Sequence, residues 1–179
     1  PETVNAWCMA GGRMAVYTGL FEQLALTDDE LAQIMGHEIA HALAHHTAER
    51  MSRALAINVG VLAAGAASDD SQVAMSGAAV AAKLALELPN SRTAEREADR
   101  IGLELATRAG YDPAAAVSLW DKMNRQGNGR PPAFLSTHPS PADRQQRLAE
   151  LGEAMGDLNP RRRRSPVHPV TIVRQAPSR

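Results

Sequence analysis

Short apolar runs at residues 4–9 and 14–17 flank Gly11-Gly12, which predicts a β-hairpin closed by a glycine turn. Residues 19–26 predict a short helix. Thr27, with Glu30 three residues later, has the spacing of a capping box and marks the start of a longer helix. Along that helix Leu31, Ile34, Met35, Ile39, Ala42 and Leu43 fall on one broad face, and the pattern runs to about Met51 or a little beyond.

Residues 54–88 are rich in Ala, Val, Leu and Gly and are interrupted by Ser68-Asp69-Asp70-Ser71. Each apolar half is about fifteen residues, short of the roughly 20 that span a bilayer, so the segment predicts a helical hairpin packed on the domain. Pro89-Asn90-Ser91 ends it and opens a helix over 93–108, stopped by Gly110. Asp112-Pro113 reads as an N-cap with proline at the first helical position, opening a helix to about Asn124. A Gly/Pro-rich loop over 125–141 contains Thr137-His138-Pro139, and a last helix covers 140–155. From Asp157 the chain becomes a Pro- and Arg-rich tail with strand character at 170–173, and no internal repeat is visible. These elements predict a mainly helical α+β fold, with one domain over 1–156 and a tail over 157–179.

Composition narrows the classes. A hydrophobic content of 44% excludes a wholly disordered chain, and 3% aromatics leave the core to aliphatic side chains and Met. Nineteen basic residues against twenty acidic ones give no nucleic-acid footprint. Arg161 to Arg164 form the one concentrated run, read as a solvated tail or, alternatively, as a contact for anionic lipid or an acidic partner. The single cysteine, Cys8, allows no internal disulfide; between Trp7 and Met9 it reads as a buried strand residue. No leader is visible at Pro1, so the chain reads as an excised domain whose targeting or anchoring segment lies elsewhere.

The sharpest chemical signal is His37-Glu38-Ile39-Ala40-His41. Residues four apart on a helix stand one above the other, so two imidazoles can converge on one ion at about 2.1 Å. Glu38 then lies beside the open coordination position, suited to take a proton from an activated water and pass it to a leaving amine. Two ligands are too few. His45 extends the ladder, but a residue eight positions beyond His37 on one straight helix is about 12 Å along the axis, too far to share the ion. His45 and its neighbour His46 therefore read as solvent-facing or supporting groups. Glu95 and Asp99 share a face of the 93–108 helix, where Glu95 is either a third ligand or part of a charged solvated face. In the ligand case Asp99 can hold the far nitrogen of a ligand histidine. Tyr17 and Tyr111 are the only tyrosines, and either could stabilise an oxyanion.

These pieces resemble the zinc peptidases of the HtpX and BepA/LoiP type, relatives of the CAAX prenyl endopeptidases. The resemblance rests on Asn5-Ala6-Trp7-Cys8-Met9 through Gly11-Gly12, on Gly36-His37-Glu38-Ile39-Ala40-His41, and on Ser91-Arg92 followed by Glu95 and Glu97-Ala98-Asp99. Ser136-Thr137-His138-Pro139 and Arg144 complete it, over residues 4–148. It implies Glu95 as third zinc ligand, Asp99 as support for a ligand histidine, and His138 as a side chain that can close the metal's open position. His138 otherwise reads as an ordinary loop residue, and Arg144 either as the anchor of that loop or as a surface charge.

The expectation is a zincin-like domain with a small sheet beside the active-site helix. It would carry one Zn2+ per chain and hydrolyse peptide bonds, with polypeptide substrates bound in extended form, as a strand added to an exposed edge of the hairpin. The resemblance implies a bacterial periplasmic or cell-envelope setting, protein quality control there, and a membrane anchor outside this chain or peripheral membrane association. The rival readings are a zinc-stabilised, chaperone-like binding module silenced by His138, and a purely structural domain without metal.

Overall fold

Thr27 sets the start of the central helix. Its hydroxyl accepts the Glu30 N–H at 3.2 Å, and the Glu30 carboxylate accepts the Thr27 N–H at 2.9 Å, the reciprocal box the spacing predicts. In the computed structural model, which describes residues 3–9, 11–66, 76, 91–126, 132–139 and 142–164, this helix is α2, Asp28–Leu43. Before it come strands β1 (Ala6–Cys8) and β2 (Met14–Val16) and helix α1 (Thr18–Leu24). The strands pair antiparallel, with Trp7 opposite Ala15, so the hairpin is confirmed but shorter than the apolar runs.

The expectation of one helix to Met51 is overturned. Ala44 closes α2, His45 adopts a left-handed φ of 56°, and a new helix, α3 (His46–Ala66), begins at once. No apolar period marks such a break, because both helices read as helical on either side of a single residue. Apart from Ser76, the second arm of the predicted hairpin, with the strand character at 170–173 and the junction at Pro89-Asn90, lies outside the described residues.

Helix α4 (Arg92–Arg108) crosses α2 and makes the main contact of the fold. Ser91 caps it by accepting the Ala94 N–H at 3.1 Å. At its other end Gly110, at φ +96°, donates to Thr107 O, and Tyr111 donates to Ala106 O, the paired bonds of a Schellman turn. The backbones of α2 and α4 nearly touch. A Cβ on Gly36 would stand 2.5 Å from the Gly102 carbonyl oxygen, and one on Gly102 would stand 2.7 Å from the His37 nitrogen.

Helix α5 (Ala115–Arg125) begins two residues later than the Asp112-Pro113 signal predicts. Asp112 still caps, but it accepts the Ala114 N–H within a preceding turn. The Gly/Pro-rich loop conceals a further short helix, α6 (Ala133–Thr137), before α7 (Arg144–Met155) and a 3-10 turn at Gly156–Leu158. The core gathers where these elements meet, around Leu20, Ile34, Leu103, Trp120, Met123 and Phe134, all buried. Cys8 is buried on β1, as expected.

Two expectations about surfaces change. The outer edge of β1 is partly covered, because Val4 O accepts the Phe134 N–H at 3.2 Å and Cys8 O accepts the Thr47 hydroxyl at 3.2 Å. Nor is the arginine run only solvated. Arg162 pairs with Asp112 at 2.9 Å, and Arg164 pairs with Asp29 at 2.7 Å while lying over the Tyr111 ring. Acidic side chains at the ends of α2 and α4, together with the room left at Gly110, draw residues 159–164 onto the body. No helix among the described residues is long and apolar enough to cross a membrane.

Candidate metal centre

The Gly36–Gly102 contact decides the site. With no Cβ between the two backbones, α4 lies close enough for Glu95 and Asp99 to reach the imidazoles of α2. His37 Nε2 and His41 Nε2 are 3.1 Å apart, and each lies 3.3 Å from an oxygen of Glu95. His138, the residue after α6, brings Nδ1 to 3.2 Å from His37 Nε2 and 3.0 Å from Glu95 Oε1. All four side chains are buried, and their ligand-type atoms lie within 4.8 Å of one another. Four donors held about 2.1 Å from one tetrahedral ion are separated by roughly 3.4 Å, so the spacing suits a small divalent cation. The bonding inventory agrees. Glu95 Oε2 is buried and makes no well-aligned hydrogen bond, although His37 Nε2 and Arg144 each lie 3.3 Å from it. The residues fit a metal with nitrogen and oxygen ligands.

The supporting shell is charged and closed. His37 Nδ1 lies 3.2 Å from Asp99 Oδ1, and Arg144 donates to the same oxygen at 2.5 Å. Arg144 also lies 3.3 Å from Glu95 Oε2 and donates to the Pro139 carbonyl, which ties the His138 loop to α4. Its guanidinium stacks 3.8 Å from the Trp120 ring. Pairing and stacking let this arginine be almost completely buried, so the surface-charge reading does not hold. His138 stacks on Phe134, with centroids 4.4 Å apart, and its Nε2 is 3.3 Å from Glu38 Oε1.

The electrostatics favour a cation. Burial alone would lower the His37 pKa, but Asp99 and Glu95 overcome it and raise it to about 9. Burial wins at His41, which is lowered, and at His138, lowered to about 4. Glu95 is held far below the usual carboxylate range, because bonds from His138, His37 and His41 outweigh its burial. Glu38 goes the other way. Burial pushes it up to about 7, with the His37 charge opposing and Glu95 reinforcing. A carboxyl that titrates near neutrality can both take and return a proton.

The structure thus brings His37, His41, Glu95, His138 and Glu38 together, with Asp99 and Arg144 behind them. Tyr17 and Tyr111 are occupied elsewhere, Tyr17 accepting the Trp7 ring N–H at 3.2 Å and Tyr111 lying beneath Arg164. Sequence reasoning missed Arg147, 3.3 Å from Asp99, and the Phe134 and Trp120 stacks. It also left the role of His46 open: that side chain is buried and lies 3.0 Å from His41. Two mid-helix glycines were the available sign of a close helix crossing.

A His-Glu-x-x-His helix crossed by a second helix that carries an acidic residue to the same point defines a zincin-like metallopeptidase domain. Comparison with known proteins makes the class specific. Residues 1–152 match the model of Peptidase family M48, and the chain belongs to that family of metal-dependent peptidases. It is 38% identical over 147 residues to the mitochondrial metalloendopeptidase OMA1 of Arabidopsis thaliana, covering 82% of this chain and 29% of that protein. It is 31% identical over 158 residues to the metalloprotease LoiP of Escherichia coli, covering 87% and 61%. With the beta-barrel assembly-enhancing protease of the same organism it shares 30% over 169 residues, covering 89% and 34%. The chain therefore spans between 29% and 61% of the length of these relatives.

Proposed function

We propose that this chain is the catalytic domain of a zinc-dependent metalloendopeptidase, with the metal held by His37, His41 and Glu95. The observation that carries the reading is that the two Nε2 atoms and the Glu95 carboxylate lie within 3.3 Å of one another, pair by pair. Zinc held there would supply Lewis acidity to a scissile carbonyl and would lower the pKa of a water to about 7. Glu38 accepts the proton of the attacking water and passes it to the leaving amine nitrogen, a role that suits a carboxyl raised to about 7. Asp99, held by Arg144 and Arg147, takes the Nδ1–H of His37 and keeps its Nε2 turned to the metal.

His138 stands as a fourth donor in a resting state and withdraws when substrate enters. Because Phe134 of the same segment holds the Val4 carbonyl, one displacement of residues 133–138 frees both the metal position and part of the β1 edge. An extended polypeptide fits such an opening, through backbone hydrogen bonds along the strand. We assign the peptidase body to residues 1–156, with 159–164 as a strap packed against it. The likeness to LoiP and to the beta-barrel assembly-enhancing protease supports a place in a bacterial cell envelope, acting on misfolded or unassembled proteins there. Membrane association, peripheral or through an anchor outside these residues, belongs to the same reading. Family membership does not favour the chaperone-like alternative.

Metal analysis of the purified chain should find about one zinc per molecule. Glu38→Gln should retain that zinc and lose at least about a hundredfold of casein cleavage. Absence of zinc would refute the site, and full activity of the Gln variant would refute the role of Glu38.

A further inference from the structure

The two nitrogens of His41 face opposite ways. Nε2 points into the cluster, while Nδ1 points out and lies 3.0 Å from Nδ1 of His46. His46 is 5% exposed, with its ring set edge-on to His41 at a centroid distance of 5.0 Å. Its other nitrogen, Nε2, lies 3.3 Å from Glu97 Oε2 at the surface. On an unbroken helix a residue five positions on would be turned by about 140° from His41. The contact exists because the chain breaks at His45 and restarts at His46.

The order of donors along this chain is determined by its last member. A carboxylate only accepts, and a neutral imidazole carries one proton. Glu97 therefore draws the proton of His46 to Nε2 and leaves His46 Nδ1 bare. With a cation in place of a proton between His41 Nε2 and Glu95, that bare nitrogen accepts the Nδ1–H of His41, so the lone pair of His41 is on Nε2, facing the cluster. The reverse order would aim an N–H into the cluster, where it cannot ligate a cation. We propose that His46, oriented by Glu97, is the positioning residue for His41, setting its tautomer and ring angle for metal binding. It does for His41 what Asp99 does for His37, with a neutral acceptor in place of a charged one. The proposal rests on the zinc reading above.

Zinc affinity, measured by chelator competition on wild type and variants, tests it. His46→Leu should bind zinc about 10- to 100-fold more weakly. His46→Asn, which returns an acceptor near the Nδ1 position, should stay within about threefold of wild type. Glu97→Lys changes only a half-exposed side chain, so folding is not at issue. It supplies a donor to His46 and reverses the chain, and should weaken zinc about tenfold. Nitrogen-15 shifts of His41 in the zinc-loaded chain should report a hydrogen-bonded Nδ1–H in wild type and in His46→Asn, and loss of that bond in Glu97→Lys. Wild-type affinity in both His46→Leu and Glu97→Lys would overturn the proposal, as would equal losses in the Leu and Asn variants. A wild-type chain that takes up no zinc would instead overturn the metal reading itself.

Discussion

Gly36 and Gly102 meet across the α2–α4 crossing so closely that a methyl group on either would overlap the other helix's backbone. The separation of those helices sets the reach of Glu95 and Asp99, so packing and the gathering of the His37, His41 and Glu95 side chains depend on one contact. Gly102→Ala should destabilise the fold by about 1–3 kcal/mol through overpacking, read from urea denaturation. It should also weaken zinc in chelator competition, because Glu95 is moved outward. Unchanged stability together with unchanged affinity would mean that the crossing adjusts freely.

Arg144 is the buried counter-charge of the site, touching Glu95, Asp99 and the Pro139 carbonyl. Arg144→Met keeps much of the volume but leaves two buried carboxylates without it, at a cost of about 3–5 kcal/mol in the metal-free protein. Denaturant unfolding with chelator present measures this directly. A loss under about 1 kcal/mol would show that Arg147 alone balances Asp99.

His138 closes the cluster from the loop side, and His138→Ala removes its contacts to His37, Glu95 and Glu38. Casein cleavage per bound zinc should rise. Equal activity would reject a gating role, and loss of zinc would make His138 a required ligand.

Glu30 carries an acid-labile part of the stability that is remote from the candidate metal centre. Burial would raise its pKa, but bonds from Lys122, the Thr27 N–H and Ser118 lower it on balance. A carboxyl lowered in the folded state binds fewer protons there than in the unfolded chain. Its contribution is therefore present above the ordinary carboxylate pKa and is lost as pH falls through the depressed value. Glu30→Gln should flatten the decline of melting temperature below about pH 4.5 relative to wild type. Parallel declines would show that Glu30 is not linked to folding.

The linear chain determined what depends on near neighbours. Thr27 with Glu30, the i, i+4 imidazoles and the Gly11-Gly12 turn are local relations, written in spacings of one to four residues, and each appears where its spacing placed it. The convergence of His37 and His41, with Glu38 beside them, was legible for the same reason. Tertiary structure decided what depends on which surfaces meet. It brought Glu95 to α2 through a glycine contact between residues 66 positions apart in sequence, and buried Arg144 beneath Trp120. It turned His46 inward through a single left-handed residue and folded the arginine run back onto Asp29 and Asp112. Local propensity is a short-range energy, whereas a charge becomes a ligand, a support or a strap only once packing settles what lies opposite it.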